Sequence, residues 1–261
     1  MRYAISFRAG VLLAIALATS LLLGGCDNAD VASPAFNDAA GAGGGRGGSL
    51  ARFAIMGNTL YAVDATSLRT FDLSTPTAPV PGAVLQVGSG IETVFPHAPY
   101  LFIGSQTGMF IYNASAGGSP QLVGGYQHFL SCDPVVVDGR YAYITLRAGG
   151  PCGRGLSQLD VVDLANINQP QLARSFPLAE PYGLGVDSAQ VFVCDKGIKV
   201  FDARNAPDLR QVNSFDVAAT DVIAYRGVLL VTGADGLYQY RYSAAGSGGL
   251  NLLSRIPVAK K

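Results

Sequence analysis

Short runs of β-branched and aromatic residues alternate with turn residues along most of the chain. From Leu50 onward no stretch keeps helical periodicity for the length of a helix, whereas runs such as Tyr100–Ile103 and Val228–Val231 recur between glycine, proline, aspartate and asparagine. Strands of this length, bounded by turn residues, are typical of all-β proteins. We therefore predict an all-β domain over residues 50–258.

A repeating unit is visible within this domain, and it ends in an apolar pair followed by a polar residue. It occurs five times, with the polar position at Asp72, Asn113, Asp163, Asp202 and, in degenerate form, Arg241. The spacings are 41, 50, 39 and 39, and the long one contains an insertion around Gly149–Gly155. Four short strands in about 40 residues are typical of a propeller blade. The pattern predicts a β-propeller of five four-stranded blades, without room for a sixth.

The third unit shows how the four strands are distributed. Its predicted strands are Pro134–Val137, Arg140–Leu146, Gln158–Asp163 and Gln171–Phe176. Asp138-Gly139 is predicted as the hairpin turn between the first two. The polar residues that end each third strand are interpreted as turn formers, because they recur once per unit and precede serine and proline turns.

Two of the units resemble the LVIVD repeat. The matching segments are Leu159–Leu164 (LDVVDL) with Asn168–Leu172 (NQPQL), and Gly197–Asp202 (GIKVFD). This family of bacterial and archaeal surface proteins implies a β-propeller and a surface location, and no settled activity. The resemblance covers most of residues 51–242 and is weak in the fifth unit, which lacks the aspartate and the proline. The fifth unit either closes the ring or serves as a cap or a dimer contact.

The first 25 residues are predicted to be a cleaved leader. Arg2 and Arg8 precede an uncharged run of fifteen residues, Ala9 to Leu23. Fifteen helical residues reach only about 22 Å, short of the roughly 30 Å of a bilayer's hydrocarbon core. Leu23-Gly24-Gly25-Cys26 resembles the bacterial lipobox, which implies cleavage before Cys26 and acylation of its thiol. An ordinary secretory signal that happens to end in cysteine is the alternative.

The predicted leader indicates that the protein is located in the bacterial cell envelope. Residues 26–49 are predicted to be a Gly-rich tether behind the lipidated Cys26, and residues 259–261 a solvated tail. We expect a lipid-anchored protein at the outer membrane or cell surface, or at the periplasmic face of a membrane. The choice between inner and outer membrane stays open.

Composition narrows the classes of partner. The chain has 18 basic and 18 acidic side chains, so it offers no excess of positive charge for nucleic acid. Its hydrophobic fraction of 49% excludes a chain that is disordered throughout. We expect no nucleic-acid partner.

The cysteines of the domain are interpreted from their places in the third and fourth units. Cys132 precedes the first strand of unit three and Cys152 lies in the insertion of the same unit, on the same predicted face. In an oxidising compartment we expect a Cys132–Cys152 disulfide. Two unpaired thiols and, with less support, a metal pair are the alternatives. Cys194 is interpreted as a small buried core residue.

A ring of candidate ligand-binding residues is predicted at the mouth of the central channel. The equivalent positions at the head of the innermost strand are Arg52, Glu92, Asp133, Tyr182 and Asp221. The carboxylates Glu92, Asp133 and Asp221 can coordinate Ca²⁺ or present hydrogen bonds to a ligand. A structural interpretation is that Asp133 and Asp221 accept hydrogen bonds from their own turns. We expect no cofactor, with Ca²⁺ as the alternative.

No nucleophile elbow, HExxH motif, P-loop or dinucleotide fingerprint is present in the chain. We therefore expect a non-catalytic module that binds a protein or a glycan through the Arg147–Gly155 insertion and the channel mouth. The alternative is a metal-dependent propeller hydrolase or lyase that acts on envelope or extracellular carbohydrate. A structural spacer or assembly factor is a third class that the fold permits.

Overall fold

The computed structural model describes residues 47–115, 119–128, 134–149, 155–243 and 246–258. The predicted leader, the lipidation site Cys26, most of the tether, Cys132, Asp133 and Cys152 lie outside the described residues. Within those ranges the strands form five four-stranded antiparallel sheets in chain order, and there are no helices. Accordingly, nothing in those ranges could cross a membrane as an apolar helix. The prediction of an all-β propeller with five four-stranded blades is confirmed.

Each blade is built from four consecutive strands, with the first strand innermost. Blade 1 contains β1 (Phe53–Met56), β2 (Thr59–Val63), β3 (Ser67–Asp72) and β4 (Val80–Gln86). Blade 2 contains β5 (Ile91–His97), β6 (Tyr100–Ser105), β7 (Gly108–Asn113) and β8 (Gln121–Gln127). Blade 3 contains β9 (Val135–Asp138), β10 (Tyr141–Leu146), β11 (Gln158–Asp163) and β12 (Gln171–Pro177). Blade 4 contains β13 (Pro181–Asp187), β14 (Gln190–Asp195), β15 (Ile198–Asp202) and β16 (Arg210–Phe215). Blade 5 contains β17 (Asp221–Tyr225), β18 (Val228–Gly233), β19 (Gly236–Tyr242) and β20 (Leu250–Pro257).

The predicted strands of the third unit agree with the structure to within a residue at either end. Its first hairpin pairs Asp138 with Tyr141, so Gly139 and Arg140 form the two-residue loop. Gly139 has a φ of 56°, a conformation in which a side chain is strained and glycine is not. The loop lies one residue later than the predicted Asp138-Gly139 turn, because Asp138 is still paired as the last residue of β9 and Gly139 takes the first loop position.

The recurring polar residue at the end of each third strand forms a turn, as predicted. Its side-chain oxygen accepts a hydrogen bond from the backbone N–H two residues later in four blades, at Asp72, Asn113, Asp163 and Asp202. The donor–acceptor distances run from 2.8 to 3.1 Å. This geometry is the Asx turn, which satisfies the backbone where a strand ends.

Aromatic side chains on the second strands hold neighbouring blades together. At equivalent positions of blades 1 to 4 these residues are Tyr61, Phe102, Tyr143 and Phe192, each at most 3% exposed. Each ring packs in a cluster with apolar residues of the following blade's inner strand, among them Val94, Val135, Leu184 and Val222. We call the face toward the following blade the trailing face, and the face toward the preceding blade the leading face.

The junction between blade 5 and blade 1 lacks this packing, and we call it the seam. Phe53 and Ile55 on the leading face of blade 1 are 64% and 38% exposed, whereas Val94 at the position equivalent to Phe53 is 1% exposed. On the trailing face of blade 5 the aromatic position is taken by Leu230, which is only half-buried. The four buried clusters of the described residues lie at the other four junctions. The ring of five blades is therefore open at the seam.

Residues before β1 cross the inner edge of the seam. The backbone N–H of Ala51 donates to the carbonyl of Gly48, which makes a turn centred on Ser49 and Leu50. Ser49 is 1% exposed, and its hydroxyl accepts a hydrogen bond from the N–H of Leu184 at 2.8 Å. The folded part therefore includes residues on the N-terminal side of residue 50, where the sequence placed the start of the domain.

The interblade rings predict a simple stability test. We expect Phe102→Ala to lower the free energy of unfolding by about 3–5 kcal/mol, because it removes a fully buried ring and leaves a cavity. Leu122→Ala, at a residue that is 58% exposed on β8, should change it by no more than about 0.5 kcal/mol. Urea denaturation of both variants measures the two values, and equal effects would contradict the assigned packing.

Candidate functional site

Two predicted channel-mouth residues lie at the junction of blades 1 and 2. We call the end where the inner strands begin the upper end of the propeller. Arg52 precedes β1, and its guanidinium donates to the carbonyl of Ile91 at 3.0 Å. Glu92, the next residue on β5, accepts a hydrogen bond from the side-chain amide of Gln106 at 3.2 Å. Arg52 and Glu92 thus both lie at the upper end of one junction, each held by its own hydrogen bond.

A third predicted residue, Tyr182, lies at the junction of blades 3 and 4 and contacts the base of the insertion. The hydroxyl of Thr145 donates to the carbonyl of Tyr182 at 2.7 Å. Arg147 directly follows β10, and its guanidinium lies 4.2 Å from the centroid of the Tyr182 ring. This distance is well inside the range of a cation–π interaction. Arg147 and Tyr182 therefore form one amphipathic surface at the upper end.

The loop that carries Tyr182 is fixed by a buried carboxylate. Asp195, at the end of β14, accepts hydrogen bonds from the backbone N–H groups of Ala179 and Glu180 and from Lys199, whose Nζ lies at 2.5 Å. Burial alone raises the pKa of Asp195, but these donors outweigh it, so the pKa lies below its ordinary value. The side chain of Glu180 in turn accepts a hydrogen bond from the Tyr182 hydroxyl at 3.3 Å.

Asp221, the fourth predicted residue, is enclosed between the turn at Ser49 and the inner strand of blade 4. Its carboxylate accepts hydrogen bonds from the Ser49 hydroxyl at 3.0 Å and from its own neighbour, the Val222 N–H, at 2.9 Å. A Cβ placed on Gly48 or Gly183 would lie within 2.3 Å of this carboxylate, so both positions require glycine. Burial raises the pKa of Asp221 to about 6, although the Ser49 hydrogen bond opposes that change.

The predicted carboxylate set for Ca²⁺ is only partly described. Glu92 is bonded to Gln106, Asp221 is bonded to Ser49, and Asp133 lies outside the described residues. Among the residues that are described, no three His, Cys, Asp or Glu side chains are close enough together to hold a metal ion. Asp221 accepts one hydrogen bond from the N–H of its own neighbour Val222, whereas its other partner, Ser49, comes from a distant segment rather than from its own turn.

Cys194 is a buried residue of the core between blades 4 and 5, as predicted. Burial raises the pKa of its thiol far above the ordinary value, and the nearby charge of Asp221 acts in the same direction. A thiol in this setting is not ionised at neutral pH and is therefore a poor nucleophile.

A cavity of about 330 Å³ lies at the lower end of the channel, where the inner strands end. Its lining combines apolar side chains such as Phe95 and Leu184 with the polar side chains of His97, Asp138 and Asp187. The hydroxyl of Tyr242 donates to the Asp187 carboxylate. Sequence reasoning did not select these three residues, although each is the last residue of an inner strand and this shared position is the signal that identifies them.

Gly47 also lines this cavity. From there the chain passes Ile223 and Asp221 of β17, turns at Ser49 and Leu50, and descends again as β1.

Comparison with known proteins identifies the fold. No family model matches the chain, and no curated protein matches it by sequence. It is similar to the structure of a protein from Lactobacillus plantarum, with 13% identity and a TM-score of 0.62 over 77% of this chain and 73% of that chain. The chain is also similar to a functionally unknown protein from Desulfotomaculum acetoxidans, with 10% identity and a TM-score of 0.64 over 78% of this chain and 69% of that chain. The periplasmic gluconolactonase of Pseudomonas aeruginosa matches with 18% identity and a TM-score of 0.57 over 77% of this chain and 68% of that chain. At these identities the likeness shows the fold alone, and the LVIVD resemblance stays a prediction.

The raised pKa of Asp221 predicts that Asp221→Asn stabilises the fold increasingly as the pH rises. The pKa of Asp221 in the folded state, about 6, lies above the ordinary 3.8. The carboxyl therefore contributes its full share of folding stability below about pH 4, and this share is lost as the pH rises through 6. The difference between the two pKa values corresponds to a loss of at most about 3 kcal/mol in the free energy of unfolding. The measurement is the free energy of unfolding of wild type and variant at pH 4.5 and pH 7.5.

Asp208→Asn is the control for the loss of one negative charge, because Asp208 is exposed and lies outside the channel. If the gain in stability of Asp221→Asn over wild type is the same at both pH values, Asp221 is not the group that couples folding to pH.

Proposed function

We propose that the protein is a lipid-anchored binding module of the bacterial cell envelope. The propeller is the rigid part, and its upper end binds a protein or a glycan without catalysis. The anchor is the acylated Cys26, and the glycine-rich residues behind it are the tether. The resemblance of Leu23–Cys26 to a lipobox supports the anchor, and the five-bladed fold supports a scaffold that displays loops.

The observation that carries the binding surface is the contact between Arg147 and Tyr182. It joins the base of the predicted insertion to a predicted channel-mouth residue, with 4.2 Å between guanidinium and ring centroid. Arginine and tyrosine are enriched among the residues that dominate binding energy at interfaces. Because Thr145 and Asp195 fix the backbone beneath the pair, a ligand that contacts it meets a preorganised surface.

The alternative, a metal-dependent hydrolase, requires a different arrangement of side chains at the channel mouth. It needs Glu92, Asp133 and Asp221 together as ligands or acid–base groups, and Asp221 would have to release Ser49 to take that role. Stoichiometric Ca²⁺, Mg²⁺ or Zn²⁺ binding by the purified protein, measured by calorimetry, would favour this alternative over the binding module.

The binding proposal predicts that Arg147→Ala and Tyr182→Ala each weaken capture of the same ligand. After cross-linking in intact envelopes, each variant should recover that ligand about tenfold less than wild type, because each removes half of one contact surface. Arg140→Ala is the matched control, since Arg140 lies at the opposite end of β10 and also lies over a tyrosine ring, Tyr141 at 5.7 Å. If Arg140→Ala reduces capture as strongly as Arg147→Ala, the surface is wrongly assigned.

The anchor is tested independently by Cys26→Ala. We expect this variant to leave the membrane fraction and to lose the mass of the acyl chains, because those chains supply the attachment to lipid. Fractionation and intact-mass spectrometry measure both effects, with Cys194→Ala as the control that keeps the anchor. A Cys26→Ala protein that still pellets with membranes contradicts the lipid anchor and leaves the binding surface untouched.

A further inference from the structure

The cavity at the lower end of the channel has the size of a small-molecule site, and we call it the channel cavity. Its volume is about 330 Å³. Pockets that bind small molecules occupy roughly 300–1,000 Å³, so this one lies at the lower end of that range. The inner strands of blades 2 to 5 line it together with Gly47. A molecule about as large as one sugar ring fits such a space.

The polar side chains of the channel cavity occupy one repeated position of the fold. His97, Asp138 and Asp187 end the inner strands of blades 2, 3 and 4, and each pairs with the first residue of the second strand. The same position holds Met56 in blade 1 and Tyr225 in blade 5. Because equivalent positions of a repeat lie at the same height around the channel, the three polar residues line the cavity from three different blades.

These polar groups are spread around the cavity rather than gathered at one point. In the part of the chain that the structure describes, no three His, Cys, Asp or Glu side chains are close enough together to hold a metal ion. The carboxylates of Asp138 and Asp187 accept hydrogen bonds, and their charge repels an anion. Separated acceptors match an uncharged molecule with separated donors, such as the hydroxyl groups of a sugar ring.

The inner strands add backbone groups to the lining. Each inner strand is hydrogen-bonded to the second strand of its blade on one side only, so its other edge faces the channel. Leu184 shows this geometry, because its N–H donates across the channel edge to the Ser49 hydroxyl at 2.8 Å. Val186 lies two residues further along β13, so its N–H and C=O point to the same edge, and it lines the cavity. A hydroxyl group, which both donates and accepts, suits this mixed lining.

A buried acceptor beside Asp187 needs a donor. Gln190 pairs with Asp187 across the β13–β14 hairpin and is fully buried. Its Nε2 donates to the carbonyl of Ser243 at 2.9 Å, whereas its Oε1 accepts no hydrogen bond within the described residues. Such an acceptor costs free energy until a donor reaches it. This side of the cavity therefore favours an occupant that brings hydroxyl donors.

Apolar side chains form the rest of the wall. Phe95, Val136 and Leu184 line the cavity and belong to the core around blade 3 and blade 4. The faces of a sugar ring carry C–H groups that pack on apolar side chains, while its hydroxyl groups extend from the ring edge. The cavity thus offers both kinds of contact that one sugar ring makes.

We propose that the channel cavity binds one uncharged sugar ring, with its hydroxyl groups on His97, Asp138 and Asp187 and a C–H face on the apolar wall. Hydrogen bonds from hydroxyl groups to the two carboxylates are charge-assisted and therefore stronger than bonds between neutral groups. The site lies at the opposite end of the channel from the Arg147–Tyr182 surface. It does not depend on the function proposed for that surface.

Calorimetry with the full-length protein tests whether a sugar binds. The protein is kept in a phosphocholine detergent, which carries no sugar, and is titrated with D-glucose, D-galactose and N-acetyl-D-glucosamine. We expect at least one of the three to bind with a stoichiometry of one. Cyclohexanol, a ring with a single hydroxyl group, and putrescine, a cation, should not bind. Failure of all three sugars, or binding of putrescine in their place, overturns the proposal.

Two variants locate the bound sugar. Asp138→Asn replaces a charged acceptor by a neutral one and should weaken binding about tenfold. Ala98 lines the cavity at an exposed position, so Ala98→Trp narrows the cavity without entering the core and should weaken binding at least tenfold. The matched controls are Asp208→Asn and Ala78→Trp, which are exposed and outside the channel, and Ala78 precedes a proline as Ala98 does.

The comparison between these variants decides the assignment. Urea denaturation of each variant first shows that its fold is retained. A sugar that binds the cavity variants as tightly as wild type is held elsewhere, which overturns the proposal. Equal weakening by the cavity variants and their controls overturns it as well. Capture through Arg147 and Tyr182 is measured with a different ligand and different variants, so either proposal can fail without the other.

Discussion

Packing between blades is the constraint on which the rest of this structure depends. A four-stranded sheet of this size cannot bury both faces by itself, so each blade is stable only against its neighbours. The chain meets this need with one large ring per blade, at Tyr61, Phe102, Tyr143 and Phe192, pressed onto the inner strand of the next blade. Where the fifth unit substitutes Leu230 for the ring, the series stops and the seam begins.

Buried carboxylates fix the positions of loops and neighbouring blades within this apolar framework. Asp160 on β11 accepts hydrogen bonds from Tyr126 of blade 2 at 3.0 Å and from Ser175 of its own blade at 2.6 Å, so it ties two blades together. Asp195 fixes the loop in front of blade 4 in the same way. Because a buried carboxylate without partners is costly, these networks hold one geometry. The surface that we propose for binding stands on one of them.

The two ends of the channel and the seam divide the molecule into regions with different chemistry. The upper end carries the half-buried Arg147–Tyr182 pair, the channel holds a small cavity near its lower end, and the seam carries apolar sheet faces. The upper surface that we propose for ligand binding is therefore separate from both the cavity and the seam.

The sequence by itself determined the local structure. Strand runs, Asx residues such as Asp163 and the glycine at position 139 specify elements through backbone conformation and near-neighbour hydrogen bonds, which depend on a few adjacent residues. The period of about 40 residues predicted how many blades these strands form. The place of Cys194 within a strand run predicted that it is buried. The head-of-strand pattern selected Tyr182 and Asp221 as candidates, but strand register places Tyr182 two residues before Leu184 and Asp221 one residue before the equivalent Val222.

What those residues contact was decided only by the tertiary structure. Asp221 reads as a rim carboxylate in the sequence, yet its partner is Ser49, 172 residues away, in a segment whose glycines resemble a linker. Arg147 and Tyr182 come from different blades, and the sequence around Phe53 does not show that blade 5 leaves it exposed. Long-range packing sets the burial of a group, and burial sets both its pKa and its availability to a partner, so no local pattern contains that information.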